Sequence, residues 1–342
     1  MSGGETDGPV AILGAGAWGT ALACVARRAG REARLWGRDP EVVEAIAAGR
    51  GNPAYLPDIA LPDGIAATAD MAEALDGAGV VLIVCPAQAM REVTGRLIPH
   101  LPANAPVALC AKGVERDSLK LMTEVAAERL PGAPLAVLSG PTFAAEVARG
   151  LPTAVTVASE DAAAAEAVRD ALGDDAFRPY LSDDPIGVEV AGAAKNVIAI
   201  ACGVAWGLGL GENARAALLT RGLAEITRLA VALGGKPETM MGLAGLGDLS
   251  LTCNSRTSRN TSFGYALGEG EAADAVLEGR RTVTEGYWSA QAVVGLAERA
   301  GLEDLPITRA VDAVLAGRIT TGEALHDLLA RPFRAETTDD AP

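Results

Sequence analysis

The chain has 342 residues, 49% of them hydrophobic, which is enough to bury a large core and long enough for two domains. With 29 Lys and Arg against 44 Asp and Glu, its net charge of −15 repels nucleic acid and anionic membrane surfaces, so an anionic small substrate needs its own cluster of cations. Five cysteines without CxxC spacing exclude a required disulfide framework, and two histidines, His100 and His326, argue against a His-based metal site.

The first nine residues are polar, glycine-rich and acidic, unlike a signal peptide, and read as a loose leader to a cytoplasmic chain. Val10-Ala11-Ile12-Leu13 then reads as a short strand running through Gly14, Ala15, Gly16, Ala17, Trp18 and Gly19 into a helix that ends near Arg28. Glycines at 14 and 16 let the backbone turn tightly and approach a pyrophosphate, the helix start offers unpaired N–H groups, and Gly19 lets helix and sheet pack closely. A dinucleotide site is expected here, with a purely structural turn as the plain alternative. Residues 33–36 read as the second strand, followed by Gly37-Arg38-Asp39-Pro40. Asp39 could accept hydrogen bonds from an adenosine ribose, but Arg38 is placed to face a 2′-phosphate, so use of NADP, alone or beside NAD, is expected.

Further strands are expected at 65–68, 79–84, 107–111, 135–139, 153–158 and 176–180, with helices at 71–75, 119–130 and 160–172. The β-branched run at 79–84 fits a parallel strand covered on both faces. Lys112 follows one strand, where open α/β sheets place their ligands, and Gly140-Pro141-Thr142 follows another. This α/β domain is expected to close near Asp184.

From Ile186 helical patterns dominate, at 188–206, 213–233, 289–300, 307–316 and 322–329. Ser289 is a plausible N-cap, and Thr320 with Glu323 fits a capping box. The first of these helices is apolar nearly all round apart from Glu189, Lys195 and Asn196, and the lysine, asparagine and glycines argue against a membrane span. A buried lysine costs several kcal/mol unless paired or wetted, and burial lowers its pKa, so Lys195 is a candidate proton donor and acceptor. The glycine-rich loop 242–250 could hold Asp248 against Lys195, or serve only as a turn. Residues 254–264, including Ser258, Arg259 and Asn260, have the composition of an anion site within an acidic chain, with a solvated loop as the alternative. The segment 280–287 is ambiguous.

Taken together, the segments 14–22, 111–113, 139–144, 195–200, 246–249 and 258–260 resemble the bacterial NAD(P)-dependent glycerol-3-phosphate dehydrogenase family, over about residues 9–332. The resemblance implies an α/β fold with an N-terminal Rossmann-type dinucleotide-binding domain (9–185), a mainly α-helical C-terminal substrate domain (186–332) and a flexible tail (333–342). It implies reversible reduction of dihydroxyacetone phosphate to sn-glycerol 3-phosphate by NADH or NADPH, without a metal, for glycerophospholipid synthesis by a cytoplasmic homodimer. Lys195 then resembles the catalytic proton carrier, and Lys112, Gly140, Thr142, Lys195, Asp248, Ser258, Arg259 and Asn260 resemble substrate contacts. Gly14, Gly16, Ala17, Trp18, Gly19, Arg38, Lys112, Ala144, Arg259, Val283 and Glu285 resemble cofactor contacts. Ala17 stands where one familiar member has serine, which removes a hydroxyl but keeps the backbone N–H. The competing reading is a two-domain hydroxyacid or sugar-acid dehydrogenase, which leaves Ser258-Arg259-Asn260 without a reason. A nucleotide-sensing regulator leaves the buried lysine unexplained.

Overall fold

The computed structural model describes residues 8–278 and 285–333; the leader through Asp7, residues 279–284 and the tail from Arg334 lie outside the described residues. Short apolar runs separated by turns make the strands of the first half: β1 (Val10–Leu13), β2 (Ala33–Trp36), β3 (Ile65–Thr68), β4 (Val80–Ile83), β5 (Val107–Leu109), β6 (Leu135–Ser139), β7 (Thr153–Ala158) and β8 (Phe177–Ser182). The helices between them are α1 (Ala17–Arg28), α2 (Pro40–Ala47), α3 (Met71–Leu75), α4 (Met90–Leu97), α5 (Met122–Arg129), α6 (Ala144–Ala148) and α7 (Ala162–Leu172).

The strands form one sheet in the order β3-β2-β1-β4-β5-β6-β7-β8, parallel throughout except for β6 against β7. Successive side chains of β1 enter opposite cores: Val10 and Ile12 pack with α1, while Ala11 and Leu13 pack with α3 and α4. That two-sided burial is why β1 and β4 read as unbroken apolar runs. β8 tolerates Pro179 because it is an edge strand, and it runs two residues past its expected end.

The second half is helical: α8 (Pro185–Gly207), α9 (Gly211–Ala232), α10 (Pro237–Met240), α11 (Asp248–Cys253), α12 (Arg259–Gly268), α13 (Ala273–Glu278), α14 (Glu285–Arg299), α15 (Pro306–Leu315) and α16 (Thr321–Leu329). Asp184 caps α8, accepting from Gly187 N at 2.9 Å with one oxygen and from Lys236 N at 2.9 Å with the other. α8 is long and apolar enough to cross a membrane, but it is the core helix here, covered by α9, α11, α12 and α14. Its fit against α12 is backbone to backbone: a Cβ on Gly264 would lie 2.1 Å from Ile200 O, and one on Gly203 2.2 Å from Thr261 O.

Two expectations change. The stretch 242–264, expected as glycine- and serine-rich loop, forms a π-helical turn at Leu243–Gly247 followed by α11 and α12, because packing against α8 outweighs the low helix propensity of Gly, Ser and Asn. Ser289 is not an N-cap: it lies buried inside α14, which starts four residues earlier at Glu285. The Thr320–Glu323 capping box forms, with Glu323 N donating to Thr320 Oγ1 at 3.1 Å and Thr320 N to the Glu323 carboxylate at 2.7 Å.

Candidate active site

β1 lies between β2 and β4, so the chain leaves the sheet in opposite directions on its two sides, and the crevice beyond the carboxyl ends of the strands opens there. Gly14 sits at this point with φ +138°, and a Cβ on it would lie 2.1 Å from Val84 O. A Cβ on Gly19 would lie 1.8 Å from Gly14 O, which seats α1 directly on the turn. Around Gly16, by contrast, the Cβ position is open, and no side chain caps the first turn of α1. Free N–H groups at an accessible helix start suit a pyrophosphate. Ala17, Trp18 and Ala144 are partly buried against one core cluster, and α1 and α6 pack against each other.

Arg38 is exposed at the end of β2. Asp39 is committed elsewhere: its carboxylate caps α2, accepting from Glu41 N at 3.0 Å. Val283, one of the expected cofactor contacts, lies outside the described residues, as does most of the segment 280–287.

Beyond β5 and β6 three charges meet. Lys112 follows β5 and donates to Gly140 O at 3.1 Å and to Asp248 Oδ2 at 2.7 Å. Lys195, in the middle of α8 and 7% exposed, donates to Asp248 Oδ1 at 2.6 Å and to Thr252 Oγ1 at 3.1 Å. The pairing of a buried ammonium with a buried carboxylate offsets the cost that either would carry alone. Burial pushes the Lys195 ammonium down to about 8; Asp248 opposes that shift and Lys112 adds to it. Burial would raise the Asp248 carboxyl, but the two ammonium groups outweigh it and hold Asp248 below the usual carboxylate range. Glu285, at the start of α14, is raised by burial against the opposing charges of Arg259, Lys112 and Lys195, which places these groups around one space. Thr142 Oγ1 donates to Gly140 O at 3.2 Å beside them.

The loop expected to bind an anion is the start of α12. Ser258 is its N-cap, accepting from Thr261 N at 3.3 Å. Arg259 is exposed, whereas Asn260 is 8% exposed and uses both ends of its amide within the protein. Its Nδ2 donates to Asn196 Oδ1 at 2.9 Å, and its Oδ1 accepts from Gly286 N at 2.9 Å, leaving one amide hydrogen for a ligand. Thr252 and Asn196 were not among the expected contacts. Asn196 stood out as a polar residue in an apolar helix, and Thr252 follows Asp248 by four residues, a relation visible only if 248–253 is helical.

Family models described as NAD-dependent glycerol-3-phosphate dehydrogenase N-terminus and C-terminus match residues 9–165 and 184–326. Glycerol-3-phosphate dehydrogenase [NAD(P)+] from Rhodospirillum rubrum is 58% identical over 96% of this chain and 93% of its own length. The protein of that name from Caulobacter vibrioides is 55% identical over 96% and 98%. A crystal structure of glycerol-3-phosphate dehydrogenase from Coxiella burnetii is 43% identical, covers 95% of this chain and all of its own, and superposes with a TM-score of 0.91.

Proposed function

The chain belongs to the NAD-dependent glycerol-3-phosphate dehydrogenase family, an NAD(P)-dependent oxidoreductase family, and from that premise we propose which of its residues carry the reaction. The chain reversibly reduces dihydroxyacetone phosphate to sn-glycerol 3-phosphate, and the product supplies glycerophospholipid synthesis. The observation that carries the assignment of residues is the shared carboxylate of Asp248, which holds Lys195 and Lys112 on either side of one space at the carboxyl edge of the sheet.

Gly14, Gly16, Gly19 and the first turn of α1, with Ala17, Trp18 and Ala144, hold the dinucleotide, and Arg38, Arg259, Glu285, Lys112 and Val283 complete its contacts. When bound in reduced form, the nicotinamide supplies the hydride for the ketone carbon. Negative charge then develops on the substrate oxygen, where the Lys195 ammonium stabilises and protonates it. In the oxidative direction the neutral amine of Lys195 takes the hydroxyl proton. Asp248 fixes the Lys195 Nζ, with Thr252 accepting a second of its hydrogens, so the proton points along one direction. Lys112 adds positive charge beside Gly140 and Thr142, and Ser258, Arg259 and Asn260 at the start of α12 hold the phosphate. Binding at the phosphate orients the carbonyl, so dihydroxyacetone without phosphate is a poor substrate.

Arg38 with Asp39 turned away to cap α2 supports use of NADPH beside NADH. Five free cysteines support a cytoplasmic location. A homodimer is supported by an apolar groove of about 680 Å³ between α8, α9, α15 and α16, with the exposed side chains of Leu329 and Phe333 at its lip. Groove and projecting apolar side chains on one face suit a two-fold, self-complementary contact.

The test follows nicotinamide absorbance with dihydroxyacetone phosphate, NADH and NADPH being supplied separately. Oxidation that vanishes with unphosphorylated dihydroxyacetone supports the reaction and the anion site together. Equal rates with both ketones would remove the phosphate role of α12.

A further inference from the structure

We propose that Asn52 is a positioning residue of the dinucleotide turn: its side-chain amide holds the Ala15–Gly16 peptide so that Gly16 N–H faces the pyrophosphate. This role rests on the start of α1 holding the pyrophosphate, as proposed above, and adds to it a residue buried within the protein.

Asn52 lies between α2 and β3 and is 1% exposed. The chain reaches it through Gly49 and Gly51, whose φ of +68° and +75° fall in the left-handed region that favours glycine. Leu56 and Ile59 anchor the segment by entering the core cluster that also contains Ala15 and Leu22. Leu56 N donates to Asn52 O at 2.8 Å, and Tyr55 N donates to the side-chain Oδ1 at 3.3 Å. With the oxygen so engaged, Nδ2 turns to the glycine-rich turn and α1. One of its hydrogens goes to Ala15 O at 3.0 Å and the other to Thr20 Oγ1 at 2.8 Å.

Ala15 stands between Gly14 and Gly16, in the turn itself. There is no cis peptide among the described residues, and across a trans peptide the carbonyl oxygen and the following N–H point in opposite directions. A carbonyl held on Asn52 therefore sends Gly16 N–H the other way. That N–H has no acceptor among the described residues, and no side chain caps α1. The space at the Gly16 Cβ position is open as well. Such a donor at a helix start suits an anion. The turn does not set this direction by itself: rotating the Ala15–Gly16 peptide changes φ of residue 16, and glycine accepts either sign. Asn52 makes the choice, and its bond to the carbonyl also polarises the N–H on the far side of the same peptide.

The experiment reads the dissociation constant for NADPH from quenching of intrinsic fluorescence, beside urea midpoints and steady-state kinetics of the full chain. Asn52→Ala should weaken NADPH binding by about tenfold or more, the worth of one misdirected hydrogen bond to a charged group. At saturating cofactor, its kcat and its KM for dihydroxyacetone phosphate should stay within about twofold of the parental values, the signature of lost cofactor binding alone. Should that variant not fold, Asn52→Ser, whose hydroxyl stops short of Ala15 O, takes its place. Thr20→Val removes the other acceptor of the same amide and leaves the bond to Ala15. It should lower the urea midpoint and keep the parental affinity for NADPH. Parental affinity in the Asn52 variant, or an equal loss of affinity in Thr20→Val, would overturn the proposal while leaving the reading of α1 in place. A parental protein that binds no NADPH would overturn that reading and the role of Asn52 with it.

Discussion

Lys195 and Asp248 meet at 2.6 Å, and the second oxygen of that carboxylate is 2.7 Å from Lys112. One buried negative charge thus serves two ammonium groups from opposite halves of the chain. Removing it leaves two cations facing each other. Asp248→Asn should lower turnover by about 100-fold or more and shift the lysine's titration below about 8, because burial and Lys112 are then opposed by Glu285 alone. A pH profile that stays in place would separate Asp248 from Lys195.

Lys195→Ala should reduce turnover by about 10²–10⁴-fold, the usual worth of a positioned acid–base group, while leaving cofactor affinity within a few-fold. The affinity is read from quenching of intrinsic fluorescence by NADPH. Near-normal turnover in this variant would sink the assignment.

The two directions should respond to pH with opposite sign. Reduction needs the ammonium form of Lys195, so its kcat/KM falls as pH rises through about 8. Oxidation needs the amine and rises through the same point. Parallel profiles in the two directions would point to another proton carrier.

Glu189 accepts from Thr123 N at 2.9 Å and joins α8 to the start of α5. Burial pushes its carboxyl from 4.5 up to about 7. The folded state therefore binds more protons than the unfolded chain between those values. This contribution is fully present below pH 4.5 and is lost as pH rises through about 7. Its size is on the order of 3 kcal/mol. Glu189→Gln should flatten this part of the stability profile in urea titrations across that window. An unchanged slope would show that another group titrates there.

Asn260→Ala should leave Gly286 N and Asn196 Oδ1 without their partner, at a cost of about 1–3 kcal/mol for the buried groups, and should raise KM for the phosphorylated ketone. Urea midpoints and steady-state kinetics check the two effects. Unchanged stability would mean that water replaces the amide.

The strands were legible because unbroken runs such as Val80–Ile83 suit a sheet covered on both faces. Lys195 was legible because it is a lone cation in an apolar helix. The helices α11 and α12 were hidden by the Gly, Ser and Asn of 242–264, whose local preferences packing against α8 overrides. Hidden with them was the relation of Asp248 to Thr252. The pairing of Asn196 with Asn260 joins residues 64 apart, and no local pattern encodes it.

Lys112 and Asp248 are 136 residues apart in sequence. At roughly 5–20 residues per second of synthesis, about 7–27 seconds separate their appearance at the ribosome. Throughout that interval Lys112 lacks its carboxylate, and α8, carrying Lys195, leaves the ribosome before the anion that neutralises it. A chain that stops short of α11 therefore carries the Lys195 ammonium on an apolar helix with neither Asp248 nor Thr252 to receive its hydrogens.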